Sequence, residues 1–236
     1  MTVRNIPLTT ESSLPTIPPL EPSDCLTRDE FERRYQAMPG LKKAELIEGV
    51  VHMPSPVRWD HHAQPHAHLI WWLVNYSLRT PGVGVGDNAS VRLDAKNEPQ
   101  PDATMIILPG AVGQARKTSD DYVEGAPELV AEIAASSASI DLNAKFRVYR
   151  RNQVQEYLVW RMEDQAIDWF ELREGQYEPI AADSAGVLKS RVFPGLWLAG
   201  KALAAGDLTS VHEVLEQGLR SVEHREFIAR LAQSAK

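Results

Sequence analysis

Asp102, Glu132 and Lys145 stand where charged side chains are out of place, and their combination suggests a reaction. Asp102 follows Pro101 and opens the apolar run Ala103-Thr104-Met105-Ile106-Ile107-Leu108, so a carboxylate sits at the mouth of a buried strand. Glu132 lies inside a second apolar run, Glu128-Leu129-Val130-Ala131-Glu132-Ile133. Side chains alternate along a strand, which puts Leu129, Ala131 and Ile133 on one face and Val130 with Glu132 on the other. A carboxylate is rarely buried unless it is paired or bound to a metal, so Glu132 requires a partner. Lys145 belongs to the helical stretch that follows, with Asp141 one turn before it on the same side, and can reach back over the strand ends. Two carboxylates on neighbouring strand ends beside an ammonium group suit phosphodiester chemistry. Carboxylate oxygens are the donors taken by Mg2+ or Mn2+. Such an ion polarises a phosphoryl oxygen and activates a bound water, while a lysine orients the nucleophile or meets developing charge.

Each residue also has a plainer reading. Asp102 suits a strand start or a turn. Glu132 suits a structural ion pair with Lys145 or Arg147. Lys145 suits a solvated helix charge whose pairing with Asp141 is worth about 0.3–0.5 kcal/mol. His61, His62, His66 and His68 raise the possibility of zinc, but Pro65 interrupts the i, i+4 spacing, and no HExxH or cysteine cluster supports it. The glycines of Pro81-Gly-Val-Gly-Val-Gly-Asp-Asn88 precede no helix, so they read as a hairpin or bulge rather than a dinucleotide loop. Trp71 and Trp72 cannot both face inward from one helix, leaving one for a partner or a DNA groove. Arg147, Arg150 and Arg151 form the best local basic patch, or a solvated helix face.

The elements that must position these groups follow from pattern. Thr27-Arg28-Asp29-Glu30 is a capping box opening a short helix, with Phe31, Tyr35 and Met38 on one side and Pro39-Gly40 stopping it. Residues 44–53 read as a strand with a Gly break, and 66–79 as a helix with Leu69, Trp72, Leu73 and Tyr76 on one face. Strands are expected over 83–94, 103–108 and 128–133, then a helix over 138–151 with Leu142, Phe146 and Tyr149 as its core stripe. A hairpin of 155–160 and 166–172 and a short strand near Tyr177 complete the set. Interleaved helices and mostly non-alternating strands imply an α/β (α+β) fold, a mixed central β-sheet flanked by helices. Residues 207–232 read as one or two amphipathic helices broken at Gly218 and capped by Asp207 or Thr209, a C-terminal tail that packs on the core or on another subunit. The chain thus divides into a Pro-rich disordered arm (1–24), a main domain (25–198) and a helical tail (199–236).

Composition bounds the function. The 236 residues are 43% hydrophobic and 24% charged, with a net charge of −7 that argues against a broad electrostatic grip on nucleic acid or membrane. The single cysteine, Cys25, rules out an internal disulfide framework and points to a reducing cytoplasm. Neither a secretory signal nor a spanning apolar stretch is visible.

The order Pro101-Asp102, Glu132 in a strand, then a lysine resembles the PD-(D/E)xK nuclease superfamily. More narrowly, the chain resembles the Uma2 family of restriction-endonuclease-like proteins through residues 44–56 (AELIEGVVHMPSP), His62, 100–107 (QPDATMII), 124–137 (EGAPELVAEIAASS), 141–160 (DLNAKFRVYRRNQVQEYLVW) and 193–198 (FPGLWL). The resemblance implies a restriction-endonuclease-like fold, with Asp102 and Glu132 as Mg2+ (or Mn2+) ligands, Lys145 as the assisting lysine and Glu45 as an additional acid. Glu48, three residues later, competes for that last place. His62 is implied to line the cleft. Two departures stand out: Ala134 occupies the superfamily's usual lysine position, and Ala135-Ser136-Ser137 replaces Ser-Pro-Ser. The expected activity is a metal-dependent endonuclease acting on DNA, as a homodimer because cutting both strands takes two sites. The alternative is a nuclease-fold protein without catalysis, serving as a DNA-binding or assembly module.

Overall fold

The computed structural model describes residues 17–53, 56–108, 113–135 and 140–234. The first sixteen residues of the expected arm lie outside the described residues, as does most of the Ala135-Ser136-Ser137 departure. The arm's last part is held down: Leu20 is buried, and the Ser23 amide donates to the Val51 carbonyl. Prolines set an extended course here, and Leu20 finds a small apolar cluster with Phe31, Leu46 and Val51.

Helix α1 (Arg28–Gln36) begins as expected, the Thr27 hydroxyl accepting from the Glu30 amide at 3.4 Å. Strands β1 (Glu45–Ile47) and β2 (Val50–His52) form a hairpin. Its turn residues Glu48 and Gly49 have φ of 53° and 81°, the left-handed pair that a tight hairpin demands. The Gly break is this turn. A π-helical turn (Trp59–Ala63) runs into α2 (Gln64–Leu78), so the helix continues through Pro65 instead of starting after it. The expected strand over 83–94 is two pieces, β3 (Val83–Asp87) and β4 (Val91–Arg92). Next come β5 (Ala103–Ile107), the short β6 (Arg116–Lys117) and β7 (Val123–Glu124), and β8 (Leu129–Ala134). The helix expected over 138–151 is a π-helical stretch (Ile140–Lys145) followed by α3 (Phe146–Arg151). Strands β9 (Glu156–Arg161), β10 (Ala166–Arg173), β11 (Gln176–Pro179), β12 (Val187–Lys189) and β13 (Trp197–Ala199) precede α4 (Gly200–Ala204), α5 (Leu208–Leu219) and α6 (Val222–Ser234).

The central sheet is mixed, ordered β11-β10-β9-β8-β5-β3. Every neighbouring pair is antiparallel except β8 and β9, whose parallel pairing needs the crossover through α3. Glycines 84 and 86 therefore lie on an edge strand, not in a hairpin turn. One face of the sheet buries Leu129, Ala131 and Ile133 against Leu69, Trp72, Leu73 and Tyr76 of α2. The opposite face gathers Val130, Ala134 and Val159 with Tyr149 of α3.

The C-terminal helices pack on the core: Val211, Leu215, Phe227 and Leu231 join the α2 face. Asp207 caps α5, its carboxylate accepting from the Ser210 amide. The break falls at Arg220-Ser221, not at Gly218. Gly218 is inside the helix because a Cβ there would come within 2.2 Å of the Gly195 carbonyl oxygen. Its role is close approach between helix and loop. Trp71 rests on His212 of α5, with ring centroids 6.0 Å apart, so the chain supplies its contact. No helix among the described residues is long and apolar enough to cross a membrane.

Candidate functional site

The ladder between β5 and β8 ends at Ala103 opposite Ala131, which sets Asp102 across from Glu132 on the same face of the sheet. Past the last paired residues, side chains take over the backbone groups. Asp102 Oδ2 accepts from the Ile133 amide at 2.9 Å, and the Asp102 amide lies 3.5 Å from Glu132 Oε2. The Pro101-Asp102 step therefore both closes the ladder and delivers a carboxylate to its open end.

Three other segments meet there. Lys145 ends the π-helical stretch, and its ammonium lies 2.9 Å from Glu132 Oε1, 2.9 Å from Glu45 Oε1 and 3.6 Å from Asp141 Oδ1. Tyr149, one turn on, donates its hydroxyl to Glu132 Oε1 at 2.8 Å. Glu45 also accepts from the Gln100 amide at 2.8 Å. His62 Nε2, on the first π-helical turn, is 3.2 Å from Asp102 Oδ1, and Lys43 Nζ is 3.5 Å from the same oxygen. His66 Nε2 donates to the Asp102 carbonyl at 2.8 Å. Both π-helical segments thus carry site residues; such insertions are frequent at functional positions because they re-aim side chains within a helix.

Asp102, Glu132 and Lys145 are only 3%, 3% and 4% exposed, at the floor of a cavity of about 720 Å³. Burial would push the Asp102 carboxyl up. The hydrogen bond from His62, the Lys43 charge and the Ile133 amide overrule it and hold Asp102 well below the usual carboxylate range. Glu132 goes the other way: burial raises it, Lys145 pulls it back, and Asp141, Asp102 and Glu45 push it up again. Burial alone would lower the Lys145 ammonium, but Glu132, Glu45 and Asp141 raise it well above its ordinary value, so it stays charged.

No three His, Cys, Asp or Glu side chains among the described residues close on one point as a ready cage. The donor set nonetheless fits a hard cation. Asp102, Glu132, Glu45 and Asp141 line the cavity against Lys43 and Lys145, so four carboxylates face two ammonium groups. Carboxylates outnumber ammonium groups there, and carboxylate oxygens are the donors a hard cation takes. Among the described residues, Glu132 Oε2 is engaged only by the long Asp102 amide contact, which leaves a lone pair for a ligand. Among the described residues the four histidines do not gather at one point: His62 and His66 turn their Nε2 atoms to Asp102, while His61 and His68 make no contact with it.

With this geometry in view, a family model, Uma2, described as "Putative restriction endonuclease", matches residues 28–202. The chain belongs to the Uma2 family. A solved structure described as "a putative nuclease belonging to DUF820 from Anabaena variabilis ATCC 29413" is similar, with a TM-score of 0.53 and 12% identity over 80% of this chain and 99% of that one. At that identity the likeness concerns the fold. No curated protein matches the chain. The Uma2 match stops ahead of α5 and α6, which nevertheless complete the core beneath the site.

All four residues singled out in this Uma2 sequence, Asp102, Glu132, Lys145 and Glu45, meet at one cavity. Glu48 does not: it faces Arg147 at 2.9 Å and Arg151 at 3.8 Å outside the cluster. Those pairs, with Asp94 on Arg151 and Gln176 on Arg150, engage the three-arginine patch within the chain. Lys43 and Tyr149 escaped sequence reasoning as site residues. Lys43 looks like any surface lysine, and Tyr149 was absorbed by the core stripe; neither carries a local signal of what it touches across the fold.

Proposed function

We propose that this protein is a metal-dependent endonuclease-like phosphodiesterase acting on DNA, with Asp102 and Glu132 as the ligands of a Mg2+ or Mn2+ ion. The observation that carries this reading is the pairing of those two carboxylates across the open end of one ladder, on one face, with excess negative charge around them. When bound, the ion supplies a Lewis acid for the phosphoryl oxygen and an activated water. The chain's own groups do the rest. His62, Lys43 and the Ile133 amide keep Asp102 ionised. Lys145 remains an ammonium, so it donates to the phosphate or orients the water and does not act as a base. Glu45 and Asp141 hold Lys145 in place and offer further oxygen donors. A homodimer would supply a second site where both strands are cut, in a reducing cytoplasm that suits the lone Cys25.

Plasmid nicking with Mg2+ or Mn2+ tests this. The wild-type chain is expected to nick, and Asp102→Ala and Glu132→Ala to lose at least about a hundredfold, the scale of removing a principal transition-state contact. Equal activity in all three removes the assignment. A second reading, a catalytically inactive DNA-binding or assembly module, is favoured by Ala134 at the superfamily's lysine position. Calorimetric titration with Mn2+ separates the two: heat that disappears in Glu132→Ala supports the enzyme, and no heat in the wild type supports the module.

A further inference from the structure

Residues 56–61 (Pro-Val-Arg-Trp-Asp-His) are exposed without interruption; Pro56, Val57, Arg58 and His61 line the cavity, and Val57 and Trp59 are 65% and 70% exposed. Arg58 is tied to the helical turn that follows it, since the His62 and Ala63 amides both donate to its carbonyl. Holding a tryptophan and a valine out in water forgoes their burial, roughly 1.5–3 kcal/mol for a large apolar side chain. Arg58 lines the cavity, and among the described residues it is the only arginine whose side chain has no hydrogen bond, ion pair or ring contact. The other described arginines, including Arg147, Arg150 and Arg151, have such a contact within the chain. A cation on the wall of the cavity whose floor carries Asp102 and Glu132 is thus followed in the chain by an exposed indole, both unspent. Glu163 on the cavity wall and Asp60 next to Trp59 in the chain keep this lip from being a broad basic field, so its contacts are local.

The depth of the floor restricts what can reach it. With Asp102 and Glu132 only 3% exposed, a phosphate must descend into the cavity to meet them. In an intact duplex each phosphate is fixed to a wide rod and its base is stacked and paired. A strand free of its complement bends inward at no unpairing cost and leaves a base to stack outside. Aromatic side chains that receive such bases, beside cations that take the phosphates, are the means by which single strands are gripped.

We infer that the Arg58-Trp59 lip grips a DNA strand with unpaired bases, Trp59 stacking on a base and Arg58 meeting a phosphate, so the substrate class is single-stranded or frayed DNA. This rests on the nuclease reading above and narrows it. The test is fluorescence anisotropy of a labelled single strand and of a blunt duplex of the same sequence, with Ca2+ in place of Mg2+. Wild type binds the single strand at least about tenfold tighter than the duplex, the equivalent of a modest unpairing cost. Trp59→Ala weakens single-strand binding roughly 5- to 150-fold, the range of one lost stacking contact, while Trp59→Phe keeps most of it. Arg58→Ala lowers the salt slope on the single strand by about 0.7, one phosphate contact. Both side chains are exposed, so the melting temperatures of the variants stay at the wild-type value. Equal binding by wild type and Trp59→Ala, or a wild type that prefers the duplex, overturns the lip and leaves the nuclease reading standing. A wild type that binds neither DNA and nicks nothing overturns both.

Discussion

Asp102 and Glu132 sit side by side, yet the wall treats them differently. Asp102 is met by an imidazole, an ammonium and a backbone amide, all of which favour its anion. Glu132 is fully enclosed and shares one ammonium with Glu45 and Asp141. What keeps Glu132 aimed is the pair of donors on Oε1, Lys145 at 2.9 Å and the Tyr149 hydroxyl at 2.8 Å, which leaves Oε2 turned to Asp102. Tyr149→Phe keeps the ring in its packing against Tyr157 and deletes only that donor. The expected loss is about 1–2 kcal/mol in urea unfolding, the cost of a buried acceptor deprived of one partner. Mn2+ affinity should fall about tenfold, as when an outer hydrogen bond to a metal ligand is removed. An unchanged affinity with an unchanged midpoint would show that the hydroxyl does not hold the carboxylate.

Glu156 ties one strand to a distant turn. From β9 it accepts from the Ser190 hydroxyl at 2.8 Å and from the amides of Arg191 and Val192 at 2.6 and 3.1 Å, fixing the turn that leads to Phe193. Burial raises its carboxyl to about 7 although those three donors favour the anion. A folded value above the unfolded one contributes stability that is full below about 4.5 and is lost as pH rises through about 7. Measured against Glu156→Gln by urea unfolding from pH 4 to 8, wild type should lose roughly 3 kcal/mol of relative stability across that window at most and none outside it. A constant difference would contradict the raised value. Gly218 gives a second check among the elements. Gly218→Ala drives a methyl into the Gly195 carbonyl and the Trp197 ring, 2.2 and 2.8 Å away, and should cost about 1–3 kcal/mol by pushing α5 off β13. A melting temperature at or above that of wild type would mean the helix has room there. Reading Gly218 as a break was reasonable from propensity alone, because what selects glycine is a contact 23 residues away in sequence.

At the level of the molecule, the alternation of Leu129, Ala131 and Ile133 with Val130 and Glu132 was legible because strand geometry is local, and it placed Glu132 on the correct face. The spacing of Asp141, Lys145 and Tyr149 survived the π-helical stretch, since side chains about a turn apart still share one side. What no local pattern displays is pairing across the chain: Lys43 with Asp102, the docking of α5 and α6 onto α2, and the seating of Leu20 under Phe31. The site therefore depends on one sheet end that collects residues from position 43 to position 149. Its central claim is that Asp102 and Glu132 bind a single divalent ion. Crystals soaked in Mn2+ and measured for anomalous scattering test this most directly. The expected result is one peak within bonding distance of a carboxylate oxygen from each residue, absent in Glu132→Ala. A manganese peak elsewhere, or none at a concentration that supports nicking, would contradict it.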